Sequence, residues 1–491
     1  MNFSLINMLK YKLLIVIIFS ATTVLSQSNH YWGTVFNTES SLLGDAVVGD
    51  NSGITSIYFN PAGIQESENN QLSLSANLIT LSYEYYSNAL GKDINLIDYG
   101  FRVQPRFVSI MYRPKNNKKA AYQFAILNRA NKDKFIYNDV SYSKDILYKG
   151  YGEKYQGSFE LKSNYSDYWG GFGAAYQVSD RFSIGASTFL SVKNYYYSKN
   201  ININIYPNLI MIPDSVSYYS AHWATSLRQT SYDVRLLGKI GVRYKFGNLK
   251  LGLNVSLPSL KLWGNSDVIK SVVQIGLQDF DTAAPSYTHM ESGKYRYVDF
   301  KDPFSIAFGM SYNSPLTKAH YYFSAEYFAS IDRYKIIDGT RVVKSAQNNY
   351  SPGSNFLSFY SQGKSLVNFA FGYQYKFNDK VELLAGIKTD FDAAPQSTAS
   401  SNSETYVVFQ EIPANIYHFN IGSKLNILKS AFTVGFQLSY GRSDNNYQYV
   451  NFSNPIIYDH KTLLGIQGKR TKDMTYLYFD LGFYFSFLWG F

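Results

Sequence analysis

The chain has 491 residues and a formal net charge of +10. Its basic residues are dispersed rather than clustered, which argues against nucleic acid as a partner, and the absence of cysteine excludes disulfides, thiolate metal sites and cysteine nucleophiles. Charged residues make up 17% of the chain, below the roughly 25% of soluble domains, whereas its 46 tyrosines are typical of proteins that meet a membrane interface.

Residues 1–26 have the composition of a secretory signal peptide. Lys10 and Lys12 form a basic start, residues 13–19 are apolar, and Val24 and Ser26 place small residues before a cleavage site at Gln27. The apolar run is shorter than the roughly 20 residues that a transmembrane helix needs. We therefore predict an exported protein.

Residues 27–70 do not alternate as the rest of the chain does. Gly44, Gly49 and Gly63 permit close backbone approach, and Asn60-Pro61 starts a turn. A compact, glycine-rich and partly apolar segment ahead of the strands predicts a plug, or hatch, inside a barrel. A periplasmic extension or a disordered leader is the alternative.

From residue 71 to residue 491, apolar and polar residues alternate in long runs, the pattern of strands with two different faces. Six short turn-forming segments separate pairs of runs: 114–118, 179–180, 247–248, 313–317, 378–379 and 429–430. Seven longer segments rich in Tyr, Ser and Asn separate the others: 87–100, 131–164, 196–227, 258–294, 334–363, 392–411 and 442–471. Thirteen connections predict an all-β transmembrane antiparallel barrel of about 14 strands, with both barrel ends beside the short turns. An extra hairpin within 131–164 or 258–294 would raise that count.

The polar face of the ladder carries charges that cannot face lipid, because a Lys or Arg at the bilayer midplane costs about 2–4 kcal/mol. We predict that these residues point into the lumen: Arg235, Lys239, Arg243, Glu382, Lys388, His418, Lys424 and Gln437. Eight strands fill a barrel with their own side chains and sixteen leave an aqueous channel. A barrel of fourteen strands therefore needs something in its lumen.

The last fifteen residues alternate Leu, Phe or Trp with small and polar residues. This segment is similar to the closing strand of bacterial outer-membrane barrels, whose terminal aromatic residues act as an assembly signal for the barrel-assembly machinery. Phe487, Trp489 and Phe491 are the candidate signal residues. We expect this strand to pair with the first strand, near residues 72–86, and thereby remove the free sheet edge.

The hatch segment resembles the FadL/TodX family of outer-membrane transport proteins, which carry Leu-Gly-x-Ala, then Asp with small residues, then Asn-Pro-Ala before the first strand. The matching residues are Gly44, Asp45, Ala46, Gly49, Asp50, Asn60, Pro61, Ala62 and Gly63. The resemblance implies passive uptake of hydrophobic small molecules, such as long-chain fatty acids, through a hatch-plugged barrel in outer-membrane lipid.

The resemblance also implies a ligand pocket beside the start of the hatch and a lateral exit at a kink in the third strand. Tyr31, Trp32, Val35 and Phe36 are the candidate pocket residues, with packing of the hatch against the wall as their alternative role. The candidate third strand, residues 119–130, has neither Gly nor Pro, so no kink is visible there. Pro105, in the preceding strand, is the nearer candidate for an interrupted ladder.

Other functions have weaker support. The six histidines are scattered without a metal-binding spacing, and His418 with Asn420 has no serine nucleophile beside it, so we predict no enzyme, metal or cofactor. A PorV-type barrel of the Bacteroidetes, which acts as a partner in protein secretion or surface attachment, is the main alternative. A diffusion porin would have an open lumen. Whether the protein is a transporter, a PorV-type barrel or a porin, we expect it to lie in the bacterial outer membrane with its termini in the periplasm.

Overall fold

The computed structural model describes residues 29–33, 36–50, 53–66, 70–147, 152–206, 220–277, 286–339, 355–394, 407–408, 412–456, 459 and 464–490. The predicted signal peptide 1–26, Val35 and Phe491 lie outside these residues. No helix in the described ranges is both long and apolar enough to cross a membrane.

Nineteen strands are present in the described residues: β1 (Gln71–Ser87), β2 (Leu96–Tyr112), β3 (Ala120–Lys144), β4 (Glu153–Ser179), β5 (Phe182–Tyr206), β6 (Ala221–Phe246), β7 (Leu249–Ser256), β8 (Leu260–Ile275), β9 (Tyr287–Tyr295), β10 (Ser305–Asn313), β11 (Ala319–Phe328), β12 (Ile331–Ile337), β13 (Phe359–Gly363), β14 (Leu366–Lys376), β15 (Val381–Asp390), β16 (Val407–Val408), β17 (Asn415–Ile427), β18 (Ser430–Asn446) and β19 (Met474–Gly490). All except β8, β9, β12, β13 and β16 form one closed antiparallel ring. The predicted barrel of about 14 strands is confirmed.

The ring closes where β19 pairs with β1, from Gln71 opposite Gly490 to Ser87 opposite Thr475. This pairing gives both terminal strands a partner on each side and removes the free edge. All six predicted short turns join neighbouring ring strands at one end of the barrel, the turn end. The opposite end, where the longer connections lie, is the loop end.

The wall is much taller on one side than on the other. Strands β3 to β6 have 25, 27, 25 and 26 residues, whereas about 9–11 residues cross a bilayer. Their loop-end halves continue as an open sheet, which the β8–β9 hairpin extends along β6. The predicted loops 131–164 and 196–227 are therefore wrong for most of their length. Because this part of the sheet stands outside lipid, its outward residues are mostly polar, and the outward apolar face that marks a membrane strand is missing. Its buried apolar residues, such as Phe159 and Ile203, lie on the inner face.

Side chains of the ring alternate between an apolar outer face and a polar inner face. Phe371, Phe436 and Leu481 are 47–52% exposed on the outside, while Lys388 and Arg235 are each 2% exposed inside. All eight residues predicted to face the lumen do so: Arg235, Lys239, Arg243, Glu382, Lys388, His418, Lys424 and Gln437. The alternation predicted for the last strand is confirmed, with its odd-numbered side chains outward.

The described part of residues 29–66, here called the hatch, lies against the inner face of the wall. It contains α1 (Thr38–Leu42), a 3₁₀ turn at Gly53–Thr55, α2 (Ser56–Phe59) and a second 3₁₀ turn at Pro61–Glu66. The Asn37 side chain caps α1 by accepting hydrogen bonds from the backbone N–H groups of Glu39 and Ser40. Gly44 and Asp45 follow the helix in the left-handed region, with φ of 66° and 60°, and turn the chain back toward the wall.

Candidate functional site

Glycines bring the wall and the hatch into backbone contact. Nine ring strands each carry one glycine at which an added Cβ would lie closer than 3.0 Å to a hatch atom: Gly173, Gly185, Gly241, Gly252, Gly309, Gly372, Gly386, Gly422 and Gly435. Gly372 and Gly386 are opposite each other on β14 and β15 and face the backbone of Leu43 and Gly44. The hatch is therefore seated where the wall has no side chains to hold it away.

Ion pairs hold the hatch at the same level. Its four described acids each meet a wall base: Glu39 with Lys424 at 2.7 Å, Asp45 with Lys388 at 2.6 Å, Asp50 with Lys250 at 2.5 Å, and Glu66 with Arg243 and, at 3.0 Å, with Lys250. Although burial disfavours the Asp50 carboxylate, His320 and Lys250 hold its pKa well below the usual value. The hatch is acidic and the facing wall is basic, so their contact is electrostatically complementary.

The residues of the hatch motif dock the hatch and do not line a cavity. Asn60 Nδ2 donates to the carbonyl oxygens of Val48, at 2.9 Å, and Val242, at 3.1 Å, while Asn60 Oδ1 accepts from the Ala62 N–H. Pro61 lies against Gly185 of the wall, and Ala46 is fully buried. The motif thus describes how the segment fits its barrel rather than what the barrel binds.

The first described residues of the hatch lie at the loop end. The Trp32 N–H donates to Asp390 at 2.9 Å, and His30 contacts Asp390 at 3.1 Å and the Ile412 carbonyl oxygen at 2.9 Å. Burial opposes a charge on His30, but Asp390 raises its pKa above the usual value. The barrel begins and ends at the turn end, as predicted, whereas Asn29 lies at the other end of the lumen.

A cavity of about 60 Å³ separates this part of the hatch from the wall. Its apolar and aromatic lining comes mainly from Tyr31, Tyr58, Tyr165, Trp169, Leu237, Leu257 and Phe328, and its charged lining from Arg129, Asp167, Lys239, Asp302 and Glu326. Burial raises the pKa of Tyr58 to about 12, so its hydroxyl stays neutral. A mostly apolar lining with a few fixed polar groups is typical of a small-molecule site, but the volume is well below the roughly 300–1,000 Å³ of such sites. The cavity therefore has room only for the end of a larger ligand.

The acids and the bases of the cavity differ in how they are partnered. Each acid is already bonded to neighbours: Asp167 to Ser191 and Trp169, Glu326 to Trp32 and Ser305, and Asp302 to Lys193. Lys239 instead places its ammonium 4.1 Å from the centre of the Tyr58 ring. Among the described residues, no carboxylate lies within ion-pair distance of Lys239. Within the described residues, the Lys239 ammonium therefore contacts an aromatic face and forms no ion pair.

The wall is interrupted beside this cavity. Strand β2 pairs with β3 only from Phe107 to Tyr112, opposite residues 122–127, and a bulge at Asn128 and Arg129 then turns β3 away. Residues 96–106 of β2 and 128–144 of β3, all described, are not paired with each other. This lateral gap starts two residues from Pro105, which confirms an interrupted ladder at Pro105. A bulge in β3 rather than Gly or Pro causes the break, which is why the sequence of residues 119–130 showed no kink.

The rim of the gap is apolar and the cavity reaches it. Tyr99, Phe101 and Val103 of β2 are 61–74% exposed, and Phe135 of β3 is 57% exposed, because no neighbouring strand covers them. Arg129 and Ala130, which follow the bulge, also line the cavity. Arg129 donates a hydrogen bond to the Tyr31 carbonyl oxygen. The start of the hatch therefore contacts the wall at the point where the gap begins.

The four predicted pocket residues have different positions. Tyr31 lines the cavity, and Trp32 donates to the lining residue Glu326 at 2.7 Å. Phe36 packs on Tyr58 with the ring centres 4.3 Å apart, which is the alternative packing role, and Val35 lies outside the described residues.

Sequence reasoning did not single out Tyr58, Trp169 or Arg129 as lining residues, and it placed Lys239 only in the lumen. The inward position of Lys239 was readable from its alternation, but its neighbours come from distant segments. In the described part of the chain, no group of three or more His, Cys, Asp or Glu side chains is arranged to hold a metal ion.

No protein-family model and no curated protein matches the chain. Among solved structures, the toluene transporter TodX of Pseudomonas putida gives a TM-score of 0.51 at 12% identity, covering 93% of this chain and 98% of that one. A FadL homologue of Pseudomonas aeruginosa gives 0.50 at 13%, covering 96% and 100%. The toluene transporter TbuX of Ralstonia pickettii gives 0.50 at 12%, covering 93% and 98%. At the level of fold, the resemblance predicted from the hatch motif is confirmed. The chain has the fold of the FadL- and TodX-type outer-membrane barrels.

Proposed function

We propose that this protein is an outer-membrane channel for the passive uptake of hydrophobic small molecules. The observation that carries the proposal is the mostly apolar cavity between the hatch and the wall, which adjoins a gap between β2 and β3. A ligand that leaves the cavity through this gap passes the exposed Tyr99 and Phe101 side chains. It can then enter lipid without crossing the polar outer surface of the membrane, and the path needs no energy source.

The cavity also suggests the class of ligand. Two of the similar structures are of toluene transporters, and toluene is neutral. Lys239 of this chain, by contrast, has no carboxylate partner among the described residues. A carboxylate that pairs with this buried ammonium would gain a charge-assisted hydrogen bond. We therefore propose amphipathic acids, such as long-chain fatty acids, with the carboxylate at Lys239 and the first carbons beside the Tyr58 and Trp169 rings.

Uptake of a labelled long-chain fatty acid and of labelled toluene tests this choice. Lys239→Met should lower fatty-acid uptake at least tenfold and leave toluene uptake unchanged, while Lys239→Arg should retain most fatty-acid uptake because it keeps the charge. Equal fatty-acid uptake by Lys239→Met and the unaltered protein would rule out the acid anchor. Equal losses for both ligands would indicate damage to the path rather than to selectivity.

A second pair of variants tests the exit. Ala130 lines the cavity beside the gap, so Ala130→Phe should obstruct passage and lower the uptake of both ligands. Ile126→Phe on the same strand is the control, because Ile126 is 51% exposed on the outer face and its enlargement leaves the lumen unchanged. Uptake that survives Ala130→Phe would show that the ligand leaves by another route.

Deleting residues 27–63 tests the role of the hatch. We expect the deletion to convert the protein into an open pore with a large, steady conductance in a planar bilayer, and to abolish ligand selectivity. Fatty-acid uptake that still depends on the protein in the same way after this deletion would contradict the proposed pocket.

We also propose that the signal peptide exports the chain, that the barrel-assembly machinery reads Phe487, Trp489 and Phe491, and that the turn end faces the periplasm. Proteolysis of intact cells should then cleave tags inserted in the 447–470 connection but not tags at the 378–379 turn. The PorV-type role receives less support, since TodX and TbuX, which have a similar fold, are transporters. A secretion protein that copurifies in stoichiometric amount would reverse this preference.

A further inference from the structure

The outer surface of the barrel carries an apolar groove away from the lateral gap. It has a volume of about 810 Å³ and lies across β10, β11, β14, β15 and β17, within the range of about 300–1,000 Å³ of ligand sites. Phe371, Ile387 and Phe419 on its walls are 48–52% exposed and face outward with the other lipid-facing residues. The groove is therefore a feature of the membrane-facing surface and not of the lumen.

One small outward residue creates the depression. Ala385 is opposite Tyr373 on β14 and Ile421 on β17, and the outward neighbours of Ala385 along β15 are Leu383 and Ile387. A methyl group thus stands where all surrounding outward side chains are large.

The inner side of the same stretch is already occupied. Gly372 and Gly386 also line the groove, and on the lumen side their backbones contact Leu43 and Gly44 of the hatch. Strands β11, β14, β15 and β17 are paired without a register shift along this stretch. The groove therefore has no opening into the lumen, and a transported ligand does not reach the cavity by this route.

The turn end of the groove is polar at its rim. Tyr312, Tyr321 and Tyr373 are directly opposite one another on β10, β11 and β14, and each is 40–48% exposed. Met310, Phe323 and Phe371 form the next outward row toward the loop end. Tyrosine at a barrel rim places its ring in hydrocarbon and its hydroxyl among head groups. The groove thus runs from a row of hydroxyls into a purely apolar channel.

We propose that this groove is a binding site for one membrane phospholipid. One acyl chain fills the depression over Ala385, and the hydroxyls of Tyr321 and Tyr373 donate to ester or phosphate oxygens of the head group. The position in the lipid-facing belt and the order of hydroxyls and apolar side chains select a lipid as the occupant. The bound chain covers the wall where its backbone is pressed directly against the hatch.

Native mass spectrometry of the full-length protein, loaded with phosphatidylethanolamine and then washed in detergent that strips loosely bound lipid, tests the site. We expect one retained lipid per barrel, and at least a tenfold loss of the lipid-bound form in Ala385→Phe, whose ring fills the groove. The control is Ala186→Phe, since Ala186 is an outward alanine on β5 outside the groove. It should retain the lipid.

The double variant Tyr321→Phe/Tyr373→Phe removes only the hydroxyls and guards against misfolding of Ala385→Phe. It should weaken retention severalfold, and a photoactivatable acyl chain should label residues 366–390 in the unaltered protein more strongly than other hairpins. An unaltered protein that retains no lipid, or Ala385→Phe that retains as much as Ala186→Phe, would overturn the proposal. Neither result bears on uptake through the cavity.

Discussion

The Asp45–Lys388 pair offers the sharpest test of how the hatch is held. The two side chains are 6% and 0% exposed, with 2.6 Å between Lys388 Nζ and Asp45 Oδ2. Lys388→Met would leave the Asp45 carboxylate buried without its cation, and breaking a buried pair in this way costs about 3–5 kcal/mol. Because about 1.4 kcal/mol is a factor of ten in an equilibrium constant, the undocked hatch should become roughly 100- to 4,000-fold more populated.

Proteolysis of residues 29–66 in the folded barrel measures this population when the hatch opens and closes faster than it is cleaved. Heat-modifiable gel migration would report separately that the barrel itself stays folded. The control is Lys376→Met, which removes one partner of an exposed pair with Asp379, 53% and 96% exposed. Such a pair contributes about 0–1 kcal/mol, so cleavage should hardly change.

A double variant separates the loss of the pair from the burial of a lone charge. Asp45→Asn keeps the shape of the residue, and Asn tolerates the φ of 60° found at this position. The combination of Asp45→Asn with Lys388→Met buries no charge, so it should undock the hatch less than Lys388→Met alone. Two results would refute this reasoning. One is a hatch cleavage rate of Lys388→Met within threefold of that of the unaltered protein. The other is a double variant whose loss of hatch stability equals the sum of the losses of the two single variants.

Three further predictions concern the hatch and its surroundings. Gly173→Val should loosen the hatch by about 1–3 kcal/mol, because its Cβ would lie 2.8 Å from Ile64 and 2.9 Å from Ile57, whereas Gly170→Val on the same strand meets nothing within 4 Å; proteolysis of the hatch should separate the two. The His30–Asp390 pair raises the pKa of His30, so its stabilisation is fully present below about pH 6.5 and is lost as the pH rises through the raised pKa. The difference in melting temperature between the unaltered protein and His30→Gln should therefore shrink from about pH 5 to about pH 9, and a constant difference would contradict it. Burial favours neutral Asp302, but Lys193 and Arg235 keep its pKa below the usual value. Lys193 bonds both Asp302 and the Phe300 carbonyl oxygen, so Asp302→Asn should accelerate hydrogen exchange at the Phe300 amide at least tenfold. An unchanged exchange rate there would show that the chain around Phe300 is held without the Asp302–Lys193 pair.

Local chemistry in the sequence was enough to predict the barrel. A period of two in side-chain character, repeated between six tight turns, specifies strands with a lipid face and a lumen face, and Arg235 or Lys388 had to point inward because lipid does not solvate them. The hatch segment was also recognisable from local residues. Its glycines and Asn60-Pro61 each satisfy a backbone requirement at their own position.

The height of the wall and the position of the gap were not readable in this way. Outside lipid, residues 131–144 of β3 need no outward apolar face, so their largely polar composition resembles that of a loop although they form strand and bury Ile136. The break between β2 and β3 comes from a bulge at Asn128 and Arg129. Residues 119–130 contain no Gly or Pro from which this bulge could be predicted.

The sequence by itself therefore determined a closed barrel of about fourteen strands, because alternation, turns and charge exclusion act within a few residues. Only the tertiary structure decided where the cavity between hatch and wall lies. The cavity exists because residues that are far apart in the chain meet between hatch and wall, among them Tyr31, Tyr58, Trp169 and Lys239. Such a meeting is a property of packing in three dimensions, and no local pattern encodes it.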